Sequence, residues 1–322
     1  MDGLKVGIIG AGYIGSLHAG ILLRDERVRL VGICDVLVER AEKLAHSTGA
    51  TVYTDADELI DQVDAVFVTT PNTKHTVFAL TAIAAGKHVF CEKPMATDLD
   101  DAQAILKAVK ASRVIFQVGH NRRFAPVYAT LKQMVTDGLK PHSASLKMNR
   151  GELLNPVWVA DPEVTGGFLY ETTIHIFDMA RFLFGEVAKL MAIGSSHEYP
   201  ETDDFSVLLG FENGMHATLS SSSDASWHFP FERVEVYGHH QTLVTCEMES
   251  LSISTNIEGH YTMHSTHQLA KEEKWGYAQE DKAFVDAILY DIPPPVTALD
   301  GYKSVELVDA CYRTIKRAAL AE

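Results

Sequence analysis

Residues 4–35 read LKVGIIGAGYIGSLHAGILLRDERVRLVGICD. An apolar, β-rich run, LKVGII, stops at Gly10, Gly12 and Gly15, after which Leu17, Ile21 and Leu22 recur at helical spacing. That order predicts strand, tight turn, helix. A second apolar run follows and ends in Asp35, about 20 residues beyond Gly15, the separation at which an acidic residue meets a nucleotide ribose in a βαβ unit. Each glycine then has a task. Gly10 makes the turn, Gly12 lets the backbone approach a pyrophosphate, Tyr13 and Ile14 lead into the helix, and Gly15 lets that helix pack closely on the strand. Amides at the helix N-terminus favour phosphate. Asp35 would accept from ribose hydroxyls and repel a 2′-phosphate, so the stretch points to NAD over NADP, with Arg40 the one nearby cation that could soften the preference. Glycines at this spacing also occur in α/β proteins that bind no dinucleotide, but the surrounding context favours the nucleotide.

The alternation continues outward. Apolar runs at 65–70, 88–94 and 114–119 read as strands, and 37–47, 73–85 and 99–111 as helices, the second stopped by Gly86 and the third capped by Thr97 or Asp98. Strands alternating with helices imply a doubly wound parallel sheet of Rossmann type. Past residue 140 the runs SASLKMN, VAKLMAIGSS, FSVLLGF, MHATLSS, ERVEVYG and TLVTCE are joined by turns, which predicts a large, mostly antiparallel open sheet. Asn213-Gly214 is expected to close one hairpin as a type I′ turn. Helical patterns return near 167–184, 277–290 and 301–320, the last two separated by Pro293–Pro295 as a stiff linker. The fold class is α/β plus α+β. The expected division is 1–122 for dinucleotide binding and 123–322 for substrate and oligomerisation, with the last helix packing back on the first domain.

A chain of 322 residues suits two such domains. It carries 28 basic and 43 acidic residues, a net charge of −15, which disfavours nucleic acid or an anionic membrane as partner and favours a small molecule. Cys34, Cys91, Cys246 and Cys311 lack metal or disulfide spacing, and Met1 runs almost directly into a strand, leaving no room for a signal peptide; a cytoplasmic location is expected. No apolar run approaches membrane-spanning length. The histidines at 239, 240, 260, 264 and 267 are spaced wrongly for a compact metal site, so no metal is expected.

Ligands of open α/β sheets lie at the carboxyl ends of the strands. Thr70, Asn72 and His75 follow one such strand, and Glu92-Lys93-Pro94 another. Read alone, Lys93 is a surface charge paired with Glu92, or an ammonium held near a reacting oxygen. In GGFLYETTIHIFD, 166–178, a helix starting near Gly167 would set Glu171, His175 and Asp178 on one face at i, i+4 and i+7. His175 is then either a satisfied core histidine or a base oriented by Glu171. Trp227, His228 and Phe229 could cover a sugar face or anchor an interface.

The sequence resembles the Gfo/Idh/MocA family of nicotinamide-dependent oxidoreductases, over nearly the whole chain. GIIGAGYIGSLHA, TTPNTKH, the EKP tripeptide, GHNRRFAP and GGFLYETTIHIFD carry the resemblance, and EKP joined to the GG…H…D helix is its specific part. The resemblance implies an NAD-dependent dehydrogenase acting on a secondary ring hydroxyl of a sugar, sugar derivative or cyclitol. Lys93 would stabilise the developing alkoxide and His175 accept the proton. Asn121, Arg122, Glu171 and Thr172 would line the substrate pocket. Besides Gly10, Gly12, Tyr13, Ile14, Gly15 and Asp35, the cofactor would meet Thr70, Asn72, His75, Glu92, Lys93 and Trp158. Where many members carry Asp and then Gly before the histidine, this chain has Glu171 and Thr173. Homodimers or homotetramers through the second sheet are implied as well, since MHATLSS and ERVEVYG alternate so as to leave one side apolar. Two other classes stay in view: an NAD-dependent glycosidase working by transient oxidation and elimination, and a non-enzymatic NAD-binding regulator, against which the presence of both Lys93 and His175 argues.

Overall fold

The computed structural model describes residues 3–150, 157–226, 231–259 and 261–319; Trp227, His228, Phe229 and His260 lie outside them. The chain divides into two compact units, one of Met1–His120 with Tyr277–Val305, the other of Asn121–Gly276 with Glu306–Glu322.

The first unit opens with β1 (Leu4–Ile9), α1 (Tyr13–Leu22), β2 (Val28–Cys34), α2 (Val38–Thr48), β3 (Thr51–Tyr53), α3 (Ala56–Gln62), β4 (Ala65–Val68), α4 (His75–Ala84), β5 (His88–Glu92), α5 (Leu99–Ala111) and β6 (Phe116–Gly119). The six strands are parallel in the order β3-β2-β1-β4-β5-β6. Strand order reverses between β1 and β4, so the carboxyl ends of those strands and of β5 form the crevice where such sheets hold ligands. β1, β4, β5 and β6 are almost wholly buried, as apolar runs covered on both faces must be. β5 ends at Glu92, which leaves Lys93 and Pro94 in the loop beyond it. The side chain of Asp98 caps α5 by accepting the Asp101 amide, which chooses between the two expected caps.

The second unit contains α6 (Pro126–Asp137), β7 (Ser143–Met148), α7 (Pro162–Thr165), α8 (Ile174–Phe184), β8 (Val187–Ser195), β9 (Asp204–Phe211), β10 (His216–Ser222), β11 (Glu232–Gly238), β12 (Gln241–Cys246), β13 (Ser250–Ser254), β14 (Tyr261–Ser265) and the one-turn α9 (Lys271–Lys274). Its eight strands run β14-β13-β12-β11-β7-β10-β9-β8, antiparallel throughout except for β7 beside β10. Along β9, Phe205, Val207, Leu209 and Phe211 are buried whereas Ser206 and Leu208 face outward, the period of a sheet covered on one side. Helix α8 packs against β7, and α6 against β12 and β13.

The hairpin between β9 and β10 forms where Asn213-Gly214 predicts it, but not as a type I′ turn. Only Gly214 takes a positive φ (86°). The Gly214 amide donates to Phe211 O and the Phe211 amide to Met215 O, a three-residue loop. Asn213 instead spends its side chain, donating from Nδ2 to Phe184 O and accepting the Met215 amide on Oδ1.

The chain then returns to the first unit with α10 (Tyr277–Tyr290), whose Phe284 stands edge-on against the stacked rings of Phe67 and Phe90. After the prolines, the amide of Val118 in β6 donates to Val296 O. The final helix, α11 (Ala298–Ala319), starts three residues before the expected Gly301 because Thr297 and Asp300 exchange backbone and side-chain hydrogen bonds at its N-terminus. Gly301 lies inside it for close packing: a Cβ there would meet Val118 at 2.8 Å. Among the described residues no helix is long and apolar enough to cross a membrane.

Candidate active site

In the first unit the glycine turn is built as the sequence implies, with different reasons at its three glycines. A Cβ on Gly10, whose φ is 105°, would lie 2.6 Å from Thr69 O, and one on Gly15 would lie 2.0 Å from Gly10 O. Those two positions are closed by the protein itself. Around a Cβ on Gly12 nothing lies within 4 Å. Gly12 also caps α1 without a side chain, which leaves the first helical turn uncovered on that side for a phosphate. Residues and cradle therefore fit a dinucleotide. Tyr13, at the start of α1, is exposed, and Ile14 is half-buried. Asp35 anchors the turn: its Oδ2 accepts the Ala11 amide at 2.7 Å and its Oδ1 the Leu37 amide at 2.8 Å. Lone pairs remain on both oxygens for ribose hydroxyls.

At the carboxyl ends of β4 and β5 the side chains taken from the sequence as cofactor contacts are mostly occupied by the protein. His75 is buried, with Nδ1 2.7 Å from Pro94 O and Nε2 2.7 Å from Thr70 O, so it ties the two loops together. Burial pulls its pKa below the usual value, while the two carbonyls, and Glu92 nearby, favour the cation. Asn72 is buried in the short turn before α4, and Thr70 is half-buried. Glu92 is buried too. Its Oε1 meets His18 Nε2 at 3.1 Å and its Oε2 accepts the amide of Lys93, also at 3.1 Å. The lysine itself is half-buried, and the Lys93–Pro94 peptide is cis.

His18, in α1, was not singled out in the sequence. It is fully buried between Glu92 and Asp281, with Nδ1 2.8 Å from Asp281 Oδ1. Burial by itself would drive the ring neutral; the two carboxylates outweigh it and hold the pKa well above the usual histidine range. Burial likewise raises the Asp281 carboxyl, whereas for Glu92 the His18 hydrogen bond and charge win over burial and lower it. Glu280 is buried alongside, with one ligand atom from each of His18, Glu92 and Glu280 within 4.8 Å of one another. Both nitrogens of His18 are committed to the carboxylates just described. A histidine in an otherwise apolar helix was the available signal.

In the second unit Gly166 (φ 81°) ends α7, and Gly167 (φ 106°) sits where a Cβ would meet Tyr312 Oη at 2.7 Å. The segment that follows is not the regular helix expected from 167. Residues Leu169–Thr173 make a π-turn in which the Ile174 amide donates back to Leu169 O, and α8 begins only then. The π-turn departs from the regular 3.6 period assumed for Glu171 and His175. Glu171 lies 3.4 Å from Arg150 Nη1, which is also 3.4 Å from Thr172 Oγ1. His175 is nearly buried on α8. Asp178 is fully engaged with Arg123 through bonds of 2.8 and 2.6 Å, and that guanidinium lies over the Phe182 ring. Thr173 is buried and shares a 2.8 Å hydrogen bond with Ser221 of β10, so its hydroxyl is satisfied.

Asn121 and Arg122, expected to line the substrate pocket, are buried and bonded within their own unit. Arg122 Nε donates to Glu232 Oε2 at 2.7 Å, Tyr128 donates to the other Glu232 oxygen, and Asn121 Nδ2 donates to Trp275 O. All four side chains are buried. Arg122 is the cation paired with the buried Glu232, and leaving that carboxylate without it would be costly. Trp158 is 41% exposed in the short turn 157–160. Arg150, at the end of β7, is the functional candidate that the sequence reading missed, and nothing in its surrounding β-run marks it. His239, His240, His264 and His267 are exposed.

Comparison with known proteins agrees with both units. The family model described as "Oxidoreductase family, NAD-binding Rossmann fold" matches residues 4–120, and that described as "Oxidoreductase family, C-terminal alpha/beta domain" matches residues 132–319. The chain is 31% identical to an inositol 2-dehydrogenase of Rhizobium meliloti, covering 97% of each chain. It is 30% identical to a myo-inositol 2-dehydrogenase of Thermotoga maritima, covering 97% of this chain and 96% of the other. A levoglucosan dehydrogenase, solved with NADH and levoglucosan, shares the fold with a TM-score of 0.90 at 21% identity, covering 98% and 97% of the two chains. Through both of its units, the chain belongs to the Gfo/Idh/MocA family of oxidoreductases.

Proposed function

We propose that the protein is an NAD-dependent dehydrogenase acting on a secondary ring hydroxyl of a cyclitol or sugar. The observation that carries this reading is the pairing, within one sheet, of an open cradle at Gly12 with a lysine fixed at the carboxyl end of β5. Bound NAD, held by the glycine turn and Asp35, would supply the hydride acceptor for the carbinol carbon. His175 accepts the hydroxyl proton, and the Lys93 ammonium stabilises the negative charge that grows on oxygen as the C–H bond breaks. Glu171, Thr172 and Arg150 bind and orient the ring hydroxyls. Asn121 and Arg122 act from behind, as buried supports.

Asp35 selects NAD over NADP, because a carboxylate already placed at the end of β2 would repel a 2′-phosphate. The inositol dehydrogenases among the relatives make a cyclitol the first substrate to try. The enzyme is read as a cytoplasmic homo-oligomer formed through the open face of the second sheet.

The test is NADH absorbance over time with purified protein, NAD and a panel of cyclitols, aldoses, uronic acids and glycosides. NADH accumulation with one of them is the expected outcome. Aglycone release without net NADH would replace this reading with redox-assisted hydrolysis. Lys93→Met should lower kcat about a hundredfold or more, as loss of an oxyanion donor does, and near-normal turnover would remove Lys93 from the mechanism.

A further inference from the structure

One buried imidazole links helix α10 to the lysine loop. His18 is enclosed by the rings of Phe67, Phe90 and Tyr277, with centroids 5.3, 5.0 and 6.0 Å away. Its Nδ1 meets both oxygens of Asp281, at 2.8 and 3.0 Å, and its Nε2 meets Glu92 Oε1 at 3.1 Å. The second Glu92 oxygen accepts the Lys93 amide. A continuous chain of hydrogen bonds thus runs from Asp281 through His18 and Glu92 to the backbone of Lys93. A neutral ring can donate from one nitrogen only, so carboxylates on both sides call for the imidazolium. Glu92 has little room to leave this arrangement, because Gly119 of β6 lies beneath it with space for no side chain: a Cβ there would be 3.0 Å from Glu92 Cδ.

Packing alone does not call for such a network. Phe67, Phe90 and Phe284 already form an apolar cluster at this point, and burying a charged triad is a poor way to gain stability compared with apolar side chains of the same volume. The geometry points to His18 as a positioning residue: held by Asp281, it fixes the Glu92 carboxylate so that the carboxylate grips the Lys93 amide and aims the lysine for the reaction. The inference rests on the role proposed above for Lys93. The charged and titratable groups around His18 are Asp281, Glu280 and Tyr277 from α10 and Glu92 from β5, with Lys93 and His75 beyond Glu92.

The test begins without substrate. In His18→Gln and in Asp281→Asn, amide hydrogen exchange at Lys93, read by NMR on the full chain, should accelerate about tenfold while amides of β1 keep their protection. Asp281→Asn keeps the side-chain shape and serves if His18→Gln does not fold. Turnover is then measured with NAD and the panel member that gives NADH. His18→Gln should lower kcat about tenfold and leave KM for NAD within about twofold, and in a Lys93→Met background the same change should alter the rate by less than about twofold. Unchanged protection at Lys93 overturns the proposal whatever the substrate, and so does a kcat loss repeated in full on Lys93→Met. A normal kcat in Lys93→Met alone would instead count against the role of that lysine, leaving the exchange result to judge the link.

Discussion

Gly10, Gly12 and Gly15 belong to one turn, yet only Gly12 has open space where a side chain would project. Gly12→Ala should therefore leave the melting temperature of the ligand-free protein nearly unchanged and abolish most of the stabilisation by added NAD, whereas Gly10→Ala should destabilise the protein before any ligand is added. A thermal melt with and without NAD separates the two. His18 gives a prediction of opposite kind. Its pKa is raised in the folded state above the ordinary 6.5, so its contribution to stability is complete below that value and is lost as pH rises through the folded pKa. The melting-temperature advantage of the parent protein over His18→Gln should be largest in mild acid and shrink in alkali; a difference independent of pH would mean that the ring is neutral. The glycine turn and Asp35 were legible because their meaning is local. His18 was not, since Asp281 stands 263 positions away and no local pattern announces the pair.

At the scale of elements, strand and helix positions followed from apolar periodicity, and departures arose where side chains took over backbone hydrogen bonds. Thr297 and Asp300 start α11 early, and Asn213 converts the expected two-residue turn into three. The π-turn at Leu169–Thr173 matters most for the candidate site, because periodicity arguments assume 3.6 residues per turn and cannot register one inserted residue. It also begins under constraint. Gly167 holds a positive φ against Tyr312, whose hydroxyl accepts the Leu169 amide at 3.1 Å. Gly167→Ala should cost about 1–3 kcal/mol in denaturant unfolding, from strained backbone and the displaced tyrosine together. A loss near zero would show that the segment repacks easily. Asn121 and Arg122 had a legible position and an illegible direction: a motif places the backbone, but Glu232, far along the chain, decides where the guanidinium points.

For the whole molecule, the division into two folding styles was visible in the change from alternating strands and helices to consecutive strands. The outward face of β8 and β9 is apolar in an unusual place, with Met191 66%, Ile193 77% and Leu208 54% exposed, and Met191 pairs directly with Leu208 across the two strands. If that face joins copies of the chain, the double variant Ile193→Lys with Leu208→Glu should sediment as a smaller species and still bind NAD. An unchanged sedimentation coefficient would place the interface elsewhere. What sequence order concealed is that the first unit is completed by Tyr277–Val305, residues made only after all of Asn121–Gly276. A ribosome that has released only the first 120 residues has produced Phe67 and Phe90 without the edge of Phe284, and His18 with one carboxylate instead of two. The sheet that carries the glycine turn is thus completed only after Asn121–Gly276 have been made, and the nascent chain must keep that sheet partly uncovered until α10 emerges.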